Sequence, residues 1–238
     1  MTPLISIITV CLNSEKTIER TLQSVVKQTY SNIEYIIIDG KSTDKTLNII
    51  NKYKEIFREK MTVISEEDGG LYDAMNKGIR LAHGEMIALL NSDDWYEDNT
   101  IDSVMQKYET ADTDTCIVYG MLRRIKDNSE HSIQFLHADF LETEGMCHSS
   151  CFISRKAYEI SGLYDTHYRI ASDFDLLIRM KRAGVKFIPV YSVLTNFLMG
   201  GTSSAYGILA ELNEIKYRYH IISRRRYLWK RLKIILHL

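Results

Sequence analysis

The stretch I-A-L-L-N-S-D-D-W-Y, Ile87 to Tyr96, decides the fold. Four apolar residues run straight into Asn91, Asp93 and Asp94, a pattern that reads as a buried strand ending in acid. In mid-sheet a carboxylate pair would be dry, self-repelling and reluctant to ionise. Just past the strand's carboxyl end it reaches the rim, where a cation can neutralise it. That rim is also where open α/β sheets bind ligands. The plainer alternative is that Asp93 or Asp94 caps the helix expected over Asn99 to Tyr108, with Trp95 and Tyr96 as ordinary packing.

Three earlier segments repeat the pattern. Leu4 to Val10 is rich in β-branched residues and precedes a helix with Ile18, Leu22, Val25 and Val26 on one face, for which Asn13 and Ser14 offer a cap. Tyr35 to Ile38 runs into Asp39-Gly40-Lys41-Ser42-Thr43-Asp44, where Ser42 or Thr43 can cap a helix bearing Leu47, Ile50 and Phe57. Met61 to Ser65 leads through Glu66-Glu67-Asp68-Gly69-Gly70 into a helix with Leu71, Met75 and Ile79. Strands alternating with helices at this spacing imply βαβ units, hence an α/β fold with a mostly parallel central sheet flanked by helices. All strands then point their polar ends the same way, so Thr9, Asp39, Asp68 and Asp93 should line one crevice.

The second half is less regular. Thr115 to Met121 reads as a strand, Arg123 to Gln134 as a polar hairpin or loop, and Met146 to Ser154 as mixed strand and turn. Asp173 to Arg182 reads as a helix with Leu176, Leu177 and Met180 inward, stopped at Ala183-Gly184. Phe187 to Val190 reads as a last short strand before the loop Met199-Gly200-Gly201-Thr202-Ser203-Ser204.

Length suits one large α/β domain or one domain with a short appendage. The net charge of -1 hides an asymmetry. Residues 215–238 carry eight Lys and Arg and no acid, leaving 22 basic against 31 acidic residues before them. By charge the body is no nucleic-acid binder, whereas the tail suits an anionic partner. The four cysteines, Cys11, Cys116, Cys147 and Cys151, form no CxxC pair, which argues against structural zinc and fits free thiols in a reducing cytoplasm. The first residues lack the pattern of a signal peptide, and no stretch reaches the ~18 apolar residues of a spanning helix. From 206 to 238 the expectation is a basic amphipathic helical tail. Ile208, Leu212, Ile215, Tyr219 and Ile222 fall at helical spacing, followed by basic residues mixed with Tyr227, Leu228 and Trp229. Such a tail suits an anionic membrane surface, or else packs on the acidic body.

Neither G-x-G-x-x-G after the first strand nor G-x-x-x-x-G-K-[ST] occurs, so dinucleotide and P-loop readings lack a phosphate cradle. Acid follows the strands instead, and an acidic crevice holds a phosphate ester through a divalent cation, Mg²⁺ or Mn²⁺. Four ordered motifs carry a resemblance: S-I-I-T-V-C-L-N at Ser6 to Asn13, Q-T-Y-S-N-I-E-Y-I-I-I-D-G-K-S-T-D-K-T at Gln28 to Thr46, D-G-G-L-Y-D-A-M-N-K-G at Asp68 to Gly78, and G-E-M-I-A-L-L-N-S-D-D at Gly84 to Asp94. Together they resemble the nucleotide-binding half of the family 2 glycosyltransferases, whose fold is GT-A. G-L-Y-D-T-H-Y-R-I-A-S-D-F-D-L-L-I-R at Gly162 to Arg179 resembles the family's acceptor-side segment.

The resemblance implies a GT-A domain over residues 1–205, with a nucleotide-binding half at 1–96, an acceptor-side half at 97–205, and the tail at 206–238. It implies an inverting transfer of a sugar from a nucleotide-diphosphate sugar to an acceptor hydroxyl. A lipid-linked glycan in bacterial surface-polysaccharide assembly is the expected acceptor, and the cytoplasm the expected location, either free or in peripheral contact with the inner face of the membrane. Thr9 and Cys11 match positions at the nucleotide base, with Cys11 in place of a common Tyr. Asp39 matches the aspartate on base or ribose, although an Asx turn would use the same residue. Asp68 matches the loop that helps hold the nucleoside. Asn76 and Gly78 match the family's A-x-N-x-G, where a structural contact and a helix-packing glycine are the alternatives. The family's D-x-D stands here as Asn91-Ser92-Asp93, making Asp93 the expected metal ligand, Asp94 the second candidate, and Asn91 a contact to ribose or metal-bound water. The family's Glu-Asp pair aligns with Ser172-Asp173, so Asp173 is the expected base, with a helix N-cap as its alternative. His148 matches a position near acceptor or diphosphate, and Gly200, Gly201 and Ser203 a loop over the donor phosphates. A sugar-1-phosphate nucleotidyltransferase and a non-catalytic nucleotide-sugar binding module are the rival readings; the first lacks its amino-terminal glycine-rich loop here.

Overall fold

Isoleucine dominates the first two strands, β1 (Ile5–Cys11) and β2 (Ile33–Asp39), and both are buried on both faces. Burial on both sides requires a layer of helices above and below the sheet. A computed structural model, which describes residues 2–200 and 205–235, provides those layers. On one face α1 (Ile18–Val26) and α2 (Thr46–Phe57) pack over Ile5, Ile7, Tyr35 and Ile37. After β3 (Met61–Ser65), α3 (Leu71–Leu81) covers the opposite face, over Ile8, Val10, Ile36 and Ile38.

Next come β4 (Met86–Leu89), the two-residue β5 (Trp95–Tyr96) and α4 (Thr100–Glu109). β6 (Cys116–Lys126) and β7 (Ser129–Gln134) form the hairpin expected over that region. The short α5 (Leu141–Glu144), β8 (Cys151–Ser154) and α6 (Arg155–Ser161) lead to α7 (Ser172–Arg182). β9 (Lys186–Leu198), α8 (Ala205–Arg218) and α9 (Arg224–Ile235) complete the described chain.

The strands make one sheet in the order β3-β2-β1-β4-β8-β6-β9-β5, with β7 on the flank of β6. The first four are parallel, as the βαβ spacing predicts. The second half is mixed, because β8 enters antiparallel between β4 and β6 while β9 runs parallel to β6. Strand order reverses at β1, whose neighbours are β2 and β4, and such a switch point opens a crevice at the carboxyl ends.

Two expectations need correction. β9 is thirteen residues long rather than the short strand over Phe187 to Val190. Val190 pairs with Gly120 and Val193 with Met121, so Tyr191 and Ser192 bulge out and interrupt the alternation that marks a strand. Gly120 accommodates this, since a Cβ there would lie 2.5 Å from Leu194 Cδ1. The helix caps also differ. α1 starts after Thr17 and α2 after Lys45, while Asn13, Ser14 and Ser42 lace the two preceding loops together. Asn13 N donates to Ser42 Oγ at 2.8 Å, Thr43 N to Asn13 Oδ1 at 2.9 Å, and Ser14 N to Thr46 Oγ1 at 2.7 Å.

The tail is a hairpin of two helices. α8 seats Ile215 in a small core with Tyr168, Ala171, Phe174 and Ile178, backed by Ile208, Leu212 and Tyr219, which is the predicted stripe apart from Ile222. α9 leans on α8 through Tyr227, stacked 4.4 Å from Tyr217, and leaves Leu228, Trp229 and Leu232 more than half or about half exposed.

Candidate active site

Register brings the strand ends level. Cys11 pairs with Asp39, and Asp39 with Ser65, so the last residues of three strands stand side by side. Asp39 is fully buried; its Oδ2 accepts from Ser65 Oγ at 2.6 Å and Ser42 N at 3.0 Å, and its Oδ1 lies 3.6 Å from Cys11 Sγ. The contact to Ser42 N, three residues on, uses the carboxylate locally, as the alternative reading of Asp39 has it, although an Asx turn proper would bond the N–H two residues on. Burial, and then the charge of Asp39, push the Cys11 thiol up, so Cys11 is a neutral side chain in this crevice. Asp68 reaches the same place: a Cβ on Gly40 would lie 2.8 Å from its Oδ2, so a larger residue there would push the Asp68 carboxylate aside. Its Oδ1 accepts from Gly70 N at 2.9 Å.

Beyond β4, Leu90 N still bonds Ile8 O at 2.9 Å, which carries Asn91-Ser92-Asp93 out beside the end of β1. Ser92 Oγ meets Ser14 Oγ at 2.8 Å, tying this loop to the one after β1. Neither aspartate caps α4, whose N-cap is Asn99. Asp94 is buried. One of its oxygens accepts from Ser149 Oγ at 2.8 Å and Asn91 Nδ2 at 3.3 Å, the other from Leu198 N at 3.2 Å. Burial, and then the neighbouring Asp93, push its carboxyl up to about 7. Asp93 is partly exposed; burial raises its carboxyl, and the charges of His148 and Arg20 oppose that rise. Arg20 lies over the Trp95 ring, 3.6 Å from its centroid.

Asp173 is in the first turn of α7 but does not cap it, since Ala171 holds the N-cap. Its Oδ2 lies 3.3 Å from His148 Nδ1, and its Oδ1 accepts from Phe174 N at 2.9 Å and faces Tyr72 Oη at 3.3 Å. His148 Nε2 in turn lies 3.4 Å from Asn91 Oδ1. Burial lowers the His148 pKa, but the bond to Asp173 and the charges of Asp173, Asp94 and Asp93 outweigh it, and the net shift is upward. A relay Asp173–His148–Asn91–Asp94 therefore joins the α7 side to the end of β4.

The structure thus gathers Cys11, Asp39 and Asp68 at one end of the crevice, and Asn91, Asp93, Asp94, His148 and Asp173 at the other. Gly200 follows β9 with φ +110°, a conformation favouring glycine, two residues after Leu198, whose N–H is anchored on Asp94. Gly201 and Ser203 lie outside the described residues. Two expected donor contacts are placed elsewhere. Thr9 is fully buried, its hydroxyl 3.0 Å from Tyr35 Oη within the sheet's core. Asn76 spends both ends of its amide on Tyr164, donating to the carbonyl at 2.9 Å and accepting from N at 3.0 Å, so it is the structural contact. Gly78 is the packing glycine, since a Cβ there would meet Ile8 Cγ2 at 2.4 Å. Arg20, Tyr72 and Ser149 were not singled out from sequence. Tyr72 lies inside the D-G-G-L-Y-D motif and could have been found there, whereas Arg20 and Ser149 carry no local signal.

Among the described residues no three His, Cys, Asp or Glu side chains gather as a cation cage. Asp93 and Asp94 offer at most two carboxylates, and Asp94 already serves protein donors. One or two carboxylates, completed by phosphate oxygens and water, is the donor set Mg²⁺ or Mn²⁺ takes beside a diphosphate. A cation there would also relieve the unfavourable charge burial at Asp93.

Solved structures share the fold. The S. aureus TarS 1-349 chain crystallised with UDP-GlcNAc superposes with a TM-score of 0.71 at 15% identity, covering 89% of this chain and 66% of that one. The mannosyltransferase PcManGT of Pyrobaculum calidifontis, solved with GDP-Man and Mn2+, gives 0.67 at 17% identity, covering 98% and 70%. The architecture is GT-A. Closer in sequence is a PGL/p-HBAD biosynthesis glycosyltransferase of Mycobacterium tuberculosis, 33% identical over 181 residues, which are 74% of this chain and 69% of the relative. The glycosyltransferase GlyG of Streptococcus pneumoniae is 33% identical over 117 residues, but the match spans only 39% of that protein. Residues 6–162 match the model for Glycosyl transferase family 2, and the chain belongs to that family.

Proposed function

We propose that this glycosyltransferase moves a sugar, with inversion, from a nucleotide-diphosphate sugar to an acceptor hydroxyl. The observation that carries the reading is the relay through His148, which keeps Asp173 one imidazole away from Asn91 and the metal-candidate loop. In this reading Asp68 receives the nucleoside, with the buried Asp39 holding the loop after β2 beneath it through Ser42 N and Ser65 Oγ, and Asp93 meets the divalent cation, Mg²⁺ or Mn²⁺, beside the diphosphate. When bound, the cation supplies positive charge against the leaving group. Asp173 takes the proton from the acceptor hydroxyl as it attacks the anomeric carbon on the face opposite the diphosphate. His148 holds the Asp173 carboxylate, and Tyr72 bounds its other oxygen. A binding module without catalysis would have no need of a carboxylate at this place.

The neighbours solved with UDP-GlcNAc and GDP-Man support the donor class, and the basic α9 with its exposed apolar side chains supports a lipid-linked glycan as acceptor. No helix among the described residues is long and apolar enough to cross a membrane, and in this reading α9 is the element that meets the surface carrying such an acceptor. Its basic residues and its exposed Leu228, Trp229 and Leu232 suit an anionic membrane surface. The test is a thermal-shift screen of nucleotide sugars with Mn²⁺, then release of nucleoside diphosphate from the best stabiliser. Asp173→Asn should keep donor binding and lose about 10²–10⁴-fold in transfer. Near wild-type turnover of that variant rejects the base assignment.

A further inference from the structure

One tail side chain reaches the segment that carries Asp173. Glu211, on α8, accepts three consecutive backbone N–H groups: Arg169 N at 2.9 Å through Oε1, and Ile170 N at 2.9 Å and Ala171 N at 2.8 Å through Oε2. Residues 162–171 have no helix or strand of their own, so these donors have no ladder to join. Bonds from three amides to one carboxylate are charge-assisted and stronger than neutral ones. From the opposite side Tyr72 Oη donates to Ile170 O at 2.6 Å. The segment is thus pinned between α3 and α8, and Asp173 follows two residues after the last pinned amide. α8 itself is seated by Ile215 and by Tyr219 Oη, which donates to Asp175 Oδ1 at 2.8 Å.

We propose that Glu211 is a positioning residue for Asp173, which makes α8 part of the catalytic unit rather than an appendage to it. The catalytic consequence rests on Asp173 being the base. Misplacing a reacting group by about 1 Å costs on the order of 10²-fold in rate. Donor affinity is spared, because Asp39, Asp68 and Asp93 lie on loops that Glu211 does not touch.

The test uses the full chain carrying Glu211→Gln, with Ile215→Val as a control that loosens α8 but leaves the carboxylate in place. Glutamine keeps one acceptor oxygen and turns an amide N–H₂ toward backbone donors, so it cannot serve all three. Three measurements follow: amide exchange at Arg169 to Ala171, the His148 imidazole titration by NMR, and release of nucleoside diphosphate from UDP-GlcNAc and GDP-mannose with Mn²⁺. In Glu211→Gln we expect faster exchange, a His148 pKa that falls toward the ordinary 6.5 as Asp173 moves away, and kcat reduced about 10²-fold with KM for donor unchanged. Ile215→Val should leave the His148 titration where it is. An unchanged His148 titration in Glu211→Gln, or an equal change in Ile215→Val, overturns the positioning role without touching the base assignment. A moved titration beside an active Asp173→Asn leaves the positioning intact and rejects the base instead.

Discussion

His148 sits where the two halves of the site meet, with one ring nitrogen toward Asp173 and the other toward Asn91. Around it the two aspartates of the Asn91-Ser92-Asp93-Asp94 turn have divided their work. Asp94 faces Ser149 and the end of β9 and acts as an internal brace, whereas Asp93 retains a partly exposed carboxylate. Replacing Asp93 with alanine should therefore remove the Mn²⁺-dependent part of donor affinity, and calorimetric titration with and without Mn²⁺ checks it; equal affinities in variant and wild type sink the metal assignment. For Asp94 the expectation concerns stability. Its carboxyl is raised from 3.8 to about 7, so the fold favours the protonated form. That contribution is fully present below 3.8 and is lost as pH rises through about 7. The melting temperature of the donor-free chain should fall more steeply over that window than that of Asp94→Asn. Parallel calorimetric pH profiles would refute it. At this scale the positions of Asp39 at the end of β2, of Asp93 in the turn beyond β4 and of Asp173 in the first turn of α7 were readable, because each lies at an element boundary within a motif. The buried hydroxyl of Thr9 was not, since a motif position says nothing of which face of the sheet a side chain takes.

Among the elements, α3 does most to join the two halves. It lies on β1 with no space to spare at Gly78, clamps Tyr164 through Asn76, and carries Tyr72 to Asp173. Gly78→Ala would drive a methyl into Ile8 and lift the helix, a strain of about 1–3 kcal/mol by analogy with overpacked cores. Urea unfolding should show that loss with an unchanged m value, and a variant as stable as wild type would mean that the helix slides at no cost. The A-x-N-x-G pattern announced both residues, and their structural alternatives are the ones the coordinates support. β9 was half legible, because the bulge at Tyr191 and Ser192 exposes a ring that is 70% accessible in the middle of the strand. Pattern reading stops at such a residue, while long-range pairing with β6 and β5 continues past it.

Over the whole molecule the charge separation read from the sequence becomes a shape. α8 spends its apolar stripe on the body, and Arg218 there meets Asp165, while α9 keeps its cations and three large apolar side chains toward solvent. Stacking of Tyr227 on Tyr217 and the bond from Asn213 Nδ2 to Tyr227 O fix which side of α9 faces α8, and Leu228, Trp229 and Leu232 are on the surface left over. Each basic residue near an anionic bilayer contributes about 1 kcal/mol, and buried apolar rings add to it. Triple substitution of Leu228, Trp229 and Leu232 by serine removes the apolar part while leaving α8, Glu211 and the crevice untouched. We expect it to weaken sedimentation with phosphatidylserine vesicles, to leave donor affinity in solution unchanged, and to slow transfer only when the acceptor is presented in a bilayer. Deleting residues 224–238 should go further and abolish the salt-sensitive part of vesicle binding as well. If both variants bind vesicles as the wild type does, α9 has another partner, and the acceptor reaches Asp173 without help from the membrane.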